Sequence, residues 1–325
     1  MKEQITTVVV PEFGGPEMYS AEQVDIPVPD KGQTLVKLSV SGVNFLDVAQ
    51  RIGATPVEAP FPAGVEGVGV VSALGAGVDG FSIGQRVGWL AGGQGSFSDY
   101  AVVDAAKLVA IPERIDDDAA VSLLMQGVTA HYLTTDTFPI KAGDVVLVHA
   151  AAGGVGQLLT QIAKLKGATV IGTTSTLEKA EIARRNGADH VFGYDDFAEW
   201  TREVTGGIGA SVVYDGVGAD TFADSLRALR VRGTLVLIGN ASGPVPPFDV
   251  NTLNTGGSLF LTRPTVMHHI RTAEELQRRA YDIFEWAVSG AISVSIGARY
   301  RIGEVAEAFR ALESRSTTGK IVLEH

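Results

Sequence analysis

The 325-residue chain contains no cysteine. That absence excludes disulfides, thiolate catalysis, Cys-ligated zinc and Cys-ligated iron–sulfur clusters. Six histidines remain, at His131, His149, His190, His268, His269 and His325. A zinc centre needs three or four converging ligands. The neighbours His268 and His269 cannot both reach one ion from a regular element. His149 closes an apolar run, where a hydrogen-bonded core histidine is expected. No metal is therefore expected. Basic residues are outnumbered: 26 Lys plus Arg against 37 Asp plus Glu give a net charge of −11. Such a surface repels phosphate backbones, so nucleic acid is not an expected partner. Hydrophobic residues at 45% beside 19% charged are ordinary for a globular protein. The segment M-K-E-Q-I-T-T-V-V-V-P has neither a long apolar core nor a cleavage site, so it does not read as a signal peptide. The uncharged span Val145 to Ala163 is long enough to cross a membrane. Its glycine cluster, His149 and two glutamines read instead as folded core. A cytoplasmic enzyme with no membrane partner is the expectation.

What is present centres on Gly143 to Lys164, G-D-V-V-L-V-H-A-A-A-G-G-V-G-Q-L-L-T-Q-I-A-K. The β-branched run Val145 to Val148 predicts a buried strand. Gly153, Gly154 and Gly156 follow, then an amphipathic helix with Leu158, Leu159, Ile162 and Leu165 at helical spacing. Strand, glycine turn and helix form the layout that binds a dinucleotide diphosphate. The turn frees backbone N–H groups and the helix start adds partial positive charge. Ala151 stands where the first glycine of G-x-G-x-x-G would be. No Gly-Lys-Ser/Thr follows, which excludes a nucleoside-triphosphate loop.

The length suits two domains. The first third is rich in short strands. In Gln33 to Val40, Val36, Leu38 and Val40 face one side and Leu35, Lys37 and Ser39 the other. Asn44 to Arg51 predicts one or two helical turns. Strands at Gly67–Leu74 and Arg86–Leu90 flank the turn-rich G-A-G-V-D-G-F-S-I-G, and the spacing suggests a small irregular barrel. A Ser-His-Asp triad is not excluded by composition, but no nucleophile elbow is expected. From Asp116 the pattern changes. Asp116, Asp117 and Asp118 open a long helix through Leu133. Strands at Val145–Val148, Thr169–Thr173, His190–Phe192, Ser211–Tyr214, Thr234–Ile238 and Ser258–Thr262 then follow, mostly alternating with helices. These include Gly156–Leu165, Thr176–Arg185, Phe197–Val204 and Ala219–Leu229. The expected fold class is α/β, a doubly wound parallel sheet beside a smaller β domain. The tail has helices at Ala273–Ser289 and Glu304–Leu312 and strands near Ala298–Tyr300 and Ile321–Val322. It is expected to rejoin the first domain.

The end of the second strand favours one cofactor. An NAD site carries Asp or Glu there to bind the ribose hydroxyls. Here the strand runs into Thr173, Thr174, Ser175 and Thr176, with Lys179 in the next helical turn. Hydroxyls and a cation accept a 2′-phosphate that a carboxylate would repel, which points to NADPH. Ser175 and Glu178 also make a capping-box pattern, a purely structural use of the same residues.

The Gly143–Lys164 stretch resembles the signature of the quinone oxidoreductase/ζ-crystallin family of medium-chain dehydrogenases/reductases. S-G-V-N-F-L-D from Ser41, V-S-A-L-G-A-G-V-D-G-F-S-I-G-Q-R-V from Val71, V-V-Y-D-G-V-G from Val212, G-N-A-S-G from Gly239, L-T-R-P from Leu261 and the closing G-K-I-V-L agree with it. The resemblance covers essentially the whole chain. It implies a GroES-like barrel formed by residues 1–126 and 266–325, and a Rossmann domain over residues 127–265, with the site in the cleft between. It also implies cofactor contacts at Gly153, Gly154, Val155, Gly156, Ser175, Lys179, Tyr194, Asn240, Arg263 and Lys320. Asn44 and Thr129 would sit near the nicotinamide as catalytic residues. Each has a bland alternative: Asn44 begins a helical turn and suits an N-cap, Tyr194 could pack on the surface, and Asn240 could turn a loop. Zinc-dependent relatives carry Cys at the position of Asn44 and His at that of Val65, so zinc independence is implied. Many relatives place tyrosines near Ala49 and Thr55, and the small residues here imply a differently shaped substrate pocket.

The expected function is NADPH-dependent hydride transfer to quinones or related conjugated carbonyls. Reduction of the double bond of enones or enoyl thioesters is the alternative within enzymes. A crystallin-like structural or RNA-binding role is the alternative outside them, and the −11 charge counts against RNA. Residues 256–262, G-G-S-L-F-L-T, form an uncharged apolar segment, expected as an open edge strand through which a homodimer pairs.

Overall fold

A computed structural model describes residues 4–325. The first three residues of the expected N-terminal domain lie outside the described residues. The chain divides into two compact units. One comprises Met1–Gly127, Ile270–Val288 and Val294–His325, the other Val128–His269 and Ser289–Ser293.

The second unit is built on six parallel strands. Across the sheet they run His190–Phe192, Thr169–Thr173, Val145–Val148, Ala210–Asp215, Leu229–Leu237 and Phe260–Thr262. This is the doubly wound order, in which the chain reverses direction of travel beside its first strand. Val146, Leu147 and Val148 are fully buried, as a central strand with both faces covered must be. Helix Gly154–Leu165 buries Leu158, Leu159 and Ile162, a contribution of roughly 1.5–3 kcal/mol each.

Several boundaries differ from expectation. The helix after the glycine turn starts at Gly154 rather than Gly156. The long helix opens as expected, with the Asp116 carboxylate accepting the Ala119 N–H at 2.7 Å. It then widens into π turns at Leu123–Gly127 and Leu133–Thr137 and runs past Leu133. The segment expected as an edge strand over 256–262 is strand only at Phe260–Thr262. Gly257 and Ser258 have φ of +118° and +56°, conformations that a strand does not accommodate. The position at the sheet edge is as expected. Among the described residues, no helix is long and apolar enough to cross a membrane.

The first unit holds a seven-stranded and a three-stranded sheet, joined by a bridge between Thr7 and Ser98. Strand Gln33–Gly42 is its hub and pairs with Glu66–Leu74, Tyr100–Asp104 and Lys320–Glu324. Leu35, placed on the polar side by simple alternation, is buried at 6% exposure. Register shifts at Leu35/Val36 and Leu38/Val40 break the alternation, as bulges do. The tail returns as the strand Lys320–Glu324. Val322 pairs with Gly42, and the Val43 N–H donates to the Ile321 carbonyl at 3.1 Å. This antiparallel pairing carries Lys320 to the start of helix Phe45–Arg51.

Candidate functional site

In the second unit, Ala150 takes a left-handed φ of +50° just past the end of the first strand. A non-glycine residue bears about 1–2 kcal/mol of strain there. The bend thus falls one residue before Ala151, where the glycine pattern placed it. Ala150 O accepts the Gly153 N–H at 2.8 Å and closes the turn. A Cβ on Gly156 would lie 2.3 Å from Ala150 O, so only glycine lets the helix start against the turn. Gly153 is the N-cap and has no side chain to cap with. The first-turn N–H groups of Gly154, Val155 and Gly156 have no carbonyl within their own helix. That donor set, at a helix start free of side-chain bulk, fits an anionic diphosphate.

The end of the neighbouring strand adds hydroxyls. Thr173 and Thr174 are buried, whereas Ser175 and Thr176 are exposed. Thr176, not Ser175, caps helix Leu177–Arg185, its hydroxyl accepting the Lys179 N–H at 3.2 Å. The capping box expected from Ser175 and Glu178 is therefore replaced by a cap one residue later. The Ser175 side chain stays outside that cap. Lys179 stands half-buried in the same turn. The Tyr194 hydroxyl accepts the Ala150 N–H at 3.2 Å, which ties the third strand's loop to the glycine turn. Gly153, Gly154, Val155, Gly156, Ser175, Lys179 and Tyr194 thus gather at the carboxyl ends of three adjacent strands. Asn240 is exposed in the loop after Leu229–Leu237, its carbonyl accepting the Gly243 N–H at 2.8 Å. Arg263 is exposed just beyond the edge strand, and Thr129 is half-buried in helix Val128–Tyr132.

The first unit has its own buried cluster. Asn44 precedes helix Phe45–Arg51 as its N-cap, in extended conformation. Its Nδ2 donates to Glu66 Oε2 at 2.9 Å and to Gly42 O at 3.1 Å. Its Oδ1 accepts from Lys320 Nζ at 2.9 Å. Lys320 and Glu66, both fully buried, form an ion pair. Glu66 Oε1 accepts the Met125 N–H at 2.6 Å, from the first π turn. A Cβ on Gly42 would lie 2.1 Å from Glu66 Oε2, so the cluster closes only over glycine. Asp47 Oδ2 accepts the Asn44 N–H at 2.9 Å, while its Oδ1 is buried with no partner among the described residues. Burial pushes the Asp47 carboxyl up to about 7, and Glu66 nearby adds to the rise. The Asn44 N–H and the Lys320 ammonium pull the other way. Both hydrogens of the Asn44 amide are committed inside the cluster. Donation to a substrate oxygen, the role expected of Asn44, requires one of them to be given up.

Comparison with known proteins agrees with this architecture. Residues 30–113 match the alcohol dehydrogenase GroES-like domain and residues 154–286 the zinc-binding dehydrogenase model. A 2-haloacrylate reductase of Burkholderia sp. is 39% identical, over 98% of both chains. A quinone oxidoreductase of Pseudomonas aeruginosa is 38% identical, over 96% of this chain and 97% of its own. A mycobacterial protein solved with NADPH superposes with a TM-score of 0.96 at 43% identity, over 99% of this chain and 100% of its own. The chain belongs to the quinone oxidoreductase family of medium-chain dehydrogenases/reductases. Its fold is the family's Rossmann sheet with a GroES-like β domain. The second family model is named for zinc, yet Asn44 and Val65 stand at the two ligand positions noted above. Among the described residues no group of three or more His, Cys, Asp or Glu could hold a metal ion.

Glu66 and Asp47 escaped the sequence reading. V-E-G and N-F-L-D held a faint signal, since a carboxylate inside an apolar strand or turn implies a partner. Nothing local names Lys320 as that partner, 254 residues away from Glu66.

Proposed function

We propose that this protein is an NADPH-dependent reductase delivering hydride to quinones or related conjugated carbonyls. The observation that carries the cofactor half is the acid-free end of strand Thr169–Thr173, with exposed Ser175 and half-buried Lys179 beside a diphosphate-sized turn. NADPH, when bound, supplies the hydride. The first-turn N–H groups of Gly154, Val155 and Gly156 would hold the diphosphate. Ser175 and Lys179 would hold the 2′-phosphate, with Tyr194 bracing the turn. Asn240 and Arg263 complete the proposed cofactor set, and Thr129 is proposed near the nicotinamide. Lys320, expected among the cofactor contacts, is instead fully buried with its ammonium on Glu66 and Asn44, which leaves it no surface for a cofactor. A partly exposed lysine–phosphate contact is worth roughly 1–3 kcal/mol, a preference for NADPH over NADH of about 5- to 150-fold. Lys179→Ala should weaken NADPH and leave NADH nearly unchanged. Calorimetric titration of both cofactors checks this, and equal dissociation constants in the unmodified protein would remove the reading.

Asn44 is proposed to donate to the substrate oxygen as negative charge builds there, releasing Gly42 O, the longer of its two bonds. A positioned donor stabilises that charge more than the ground state. Quinones spread the charge, so Asn44→Ala should lower kcat by about tenfold. Cofactor affinity should stay unchanged. A fall in melting temperature with kcat per folded molecule intact would assign Asn44 to capping alone.

The Burkholderia relative supports a second reading, reduction of an activated carbon–carbon double bond. Both reactions send hydride to an electron-poor conjugated system. Comparing kcat/KM for quinones, enones and enoyl thioesters separates them. We also propose a homodimer through the edge strand Phe260–Thr262, where Phe260 is 59% exposed and the strand itself carries no charged residue. Sedimentation at micromolar concentration should show a dimer; a monomer there would discard the proposal.

A further inference from the structure

A buried polar chain crosses the second unit beneath the glycine turn. Thr173 Oγ1 lies 2.7 Å from His149 Nδ1, and His149 Nε2 lies 2.9 Å from Ser225 Oγ. Ser225 Oγ donates to Asp215 Oδ2 at 2.9 Å. The Val217 and Gly218 N–H groups and the Thr221 hydroxyl also donate to Asp215. All four members of the chain are buried.

Hydrogen accounting fixes its direction. The one hydroxyl hydrogen of Ser225 is spent on Asp215. Ser225 therefore accepts from His149, which places a hydrogen on Nε2. Burial lowers His149 to about 4 against the pull of Asp215, so the ring is neutral at ordinary pH and Nδ1 is an acceptor. Thr173 must donate to it. The order runs Thr173 to His149 to Ser225 to Asp215. A nucleophile triad needs the carboxylate on the imidazole and the serine exposed, and neither holds here.

Thr173 is the last residue of its strand and is held twice. Its hydroxyl reaches His149, and its carbonyl accepts the Ala151 N–H at 3.1 Å. Both bonds lead to the segment that forms the glycine turn. The next residues are Thr174 and Ser175. We propose that His149 is a positioning residue, which through Thr173 sets the spacing between the diphosphate turn and the hydroxyl-lined end of the second strand. The inference rests on the NADPH reading above. NADPH would be held at both places, through its diphosphate and its 2′-phosphate. NADH has no second phosphate to place. Loosening the spacing therefore penalises NADPH more than NADH.

The test is direct binding of both cofactors by calorimetry to the unmodified protein, His149→Phe and Ser225→Ala, with melting temperatures alongside. His149→Phe keeps a ring and removes both hydrogen bonds. It should raise the Kd for NADPH about tenfold, the scale of one lost hydrogen bond, and that for NADH less than about threefold. At saturating NADPH, kcat should stay within about twofold. Ser225→Ala removes both bonds that Ser225 makes, to His149 and to Asp215, but leaves the Thr173–His149 bond, and should shift the ratio the same way by about threefold. It decides the matter if His149→Phe does not fold. A lower melting temperature with the NADPH-to-NADH ratio unchanged would reduce the chain to scaffolding and overturn the proposal. Equal affinities in the unmodified protein would overturn the NADPH reading and this proposal together. A preserved preference that neither variant moves would overturn this proposal alone.

Discussion

Lys320→Met is expected to destabilise the protein by about 3–5 kcal/mol, the cost of removing one partner of a buried ion pair. Lys320 and Glu66 have no exposed surface, so water cannot replace the lost ammonium. Glu66 would keep the Asn44 amide and the Met125 N–H, two neutral donors, against a full negative charge. At roughly 2–4 °C per kcal/mol for a domain of this size, the melting temperature should fall by about 10 °C. The pair itself need not be a net gain, because desolvation offsets much of the attraction. Lys320→Met combined with Glu66→Gln should therefore be less damaging than Lys320→Met alone. Denaturant unfolding of the two single variants and the double variant measures this. A Lys320→Met protein within 1 kcal/mol of the parent would show that the charge is not confined as described.

Asp47→Asn is expected to stabilise the protein, and by an amount that grows with pH. Burial raises the native carboxyl to about 7 from a usual 3.8. Between those values the folded protein holds a proton that the unfolded chain has released. Stability therefore falls as pH rises through this window, and the whole penalty is present above about pH 7. A shift of about three units corresponds to as much as about 4 kcal/mol. Asn keeps an oxygen for the Asn44 N–H and carries no charge. The two proteins should unfold alike near pH 4, with the variant ahead by up to that amount at pH 8. A gap that does not change with pH would mean that Asp47 is ionised throughout or solvated in the folded state.

The strand–turn–helix of residues 145–165 was legible because each part is set by near neighbours. Val145–Val148 needs only β-branched residues in a row, and the helix needs only its apolar spacing. The absence of an acid at Thr173–Thr176 is likewise a statement about adjacent residues. Element ends were less legible. Ser258 enters the left-handed region after Gly257 and shortens the edge strand, a backbone choice that apolar content does not reveal. The cap at Thr176 rather than Ser175 is a one-residue choice between equally suitable hydroxyls.

The sequence by itself determined the α/β class, the βα alternation of a doubly wound sheet, the diphosphate-type turn and the absence of a cysteine-ligated metal. These follow from short-range periodicity and composition. Only the tertiary structure decided what Asn44 does with its amide, because its partners arrive on strands 22 and 276 residues away. It also turned His149 from a generic core histidine into a link between Thr173 and Ser225. The physical reason is the same in both cases. A buried polar group must find its partner wherever the fold delivers one, and strand pairing rather than sequence neighbourhood makes the delivery.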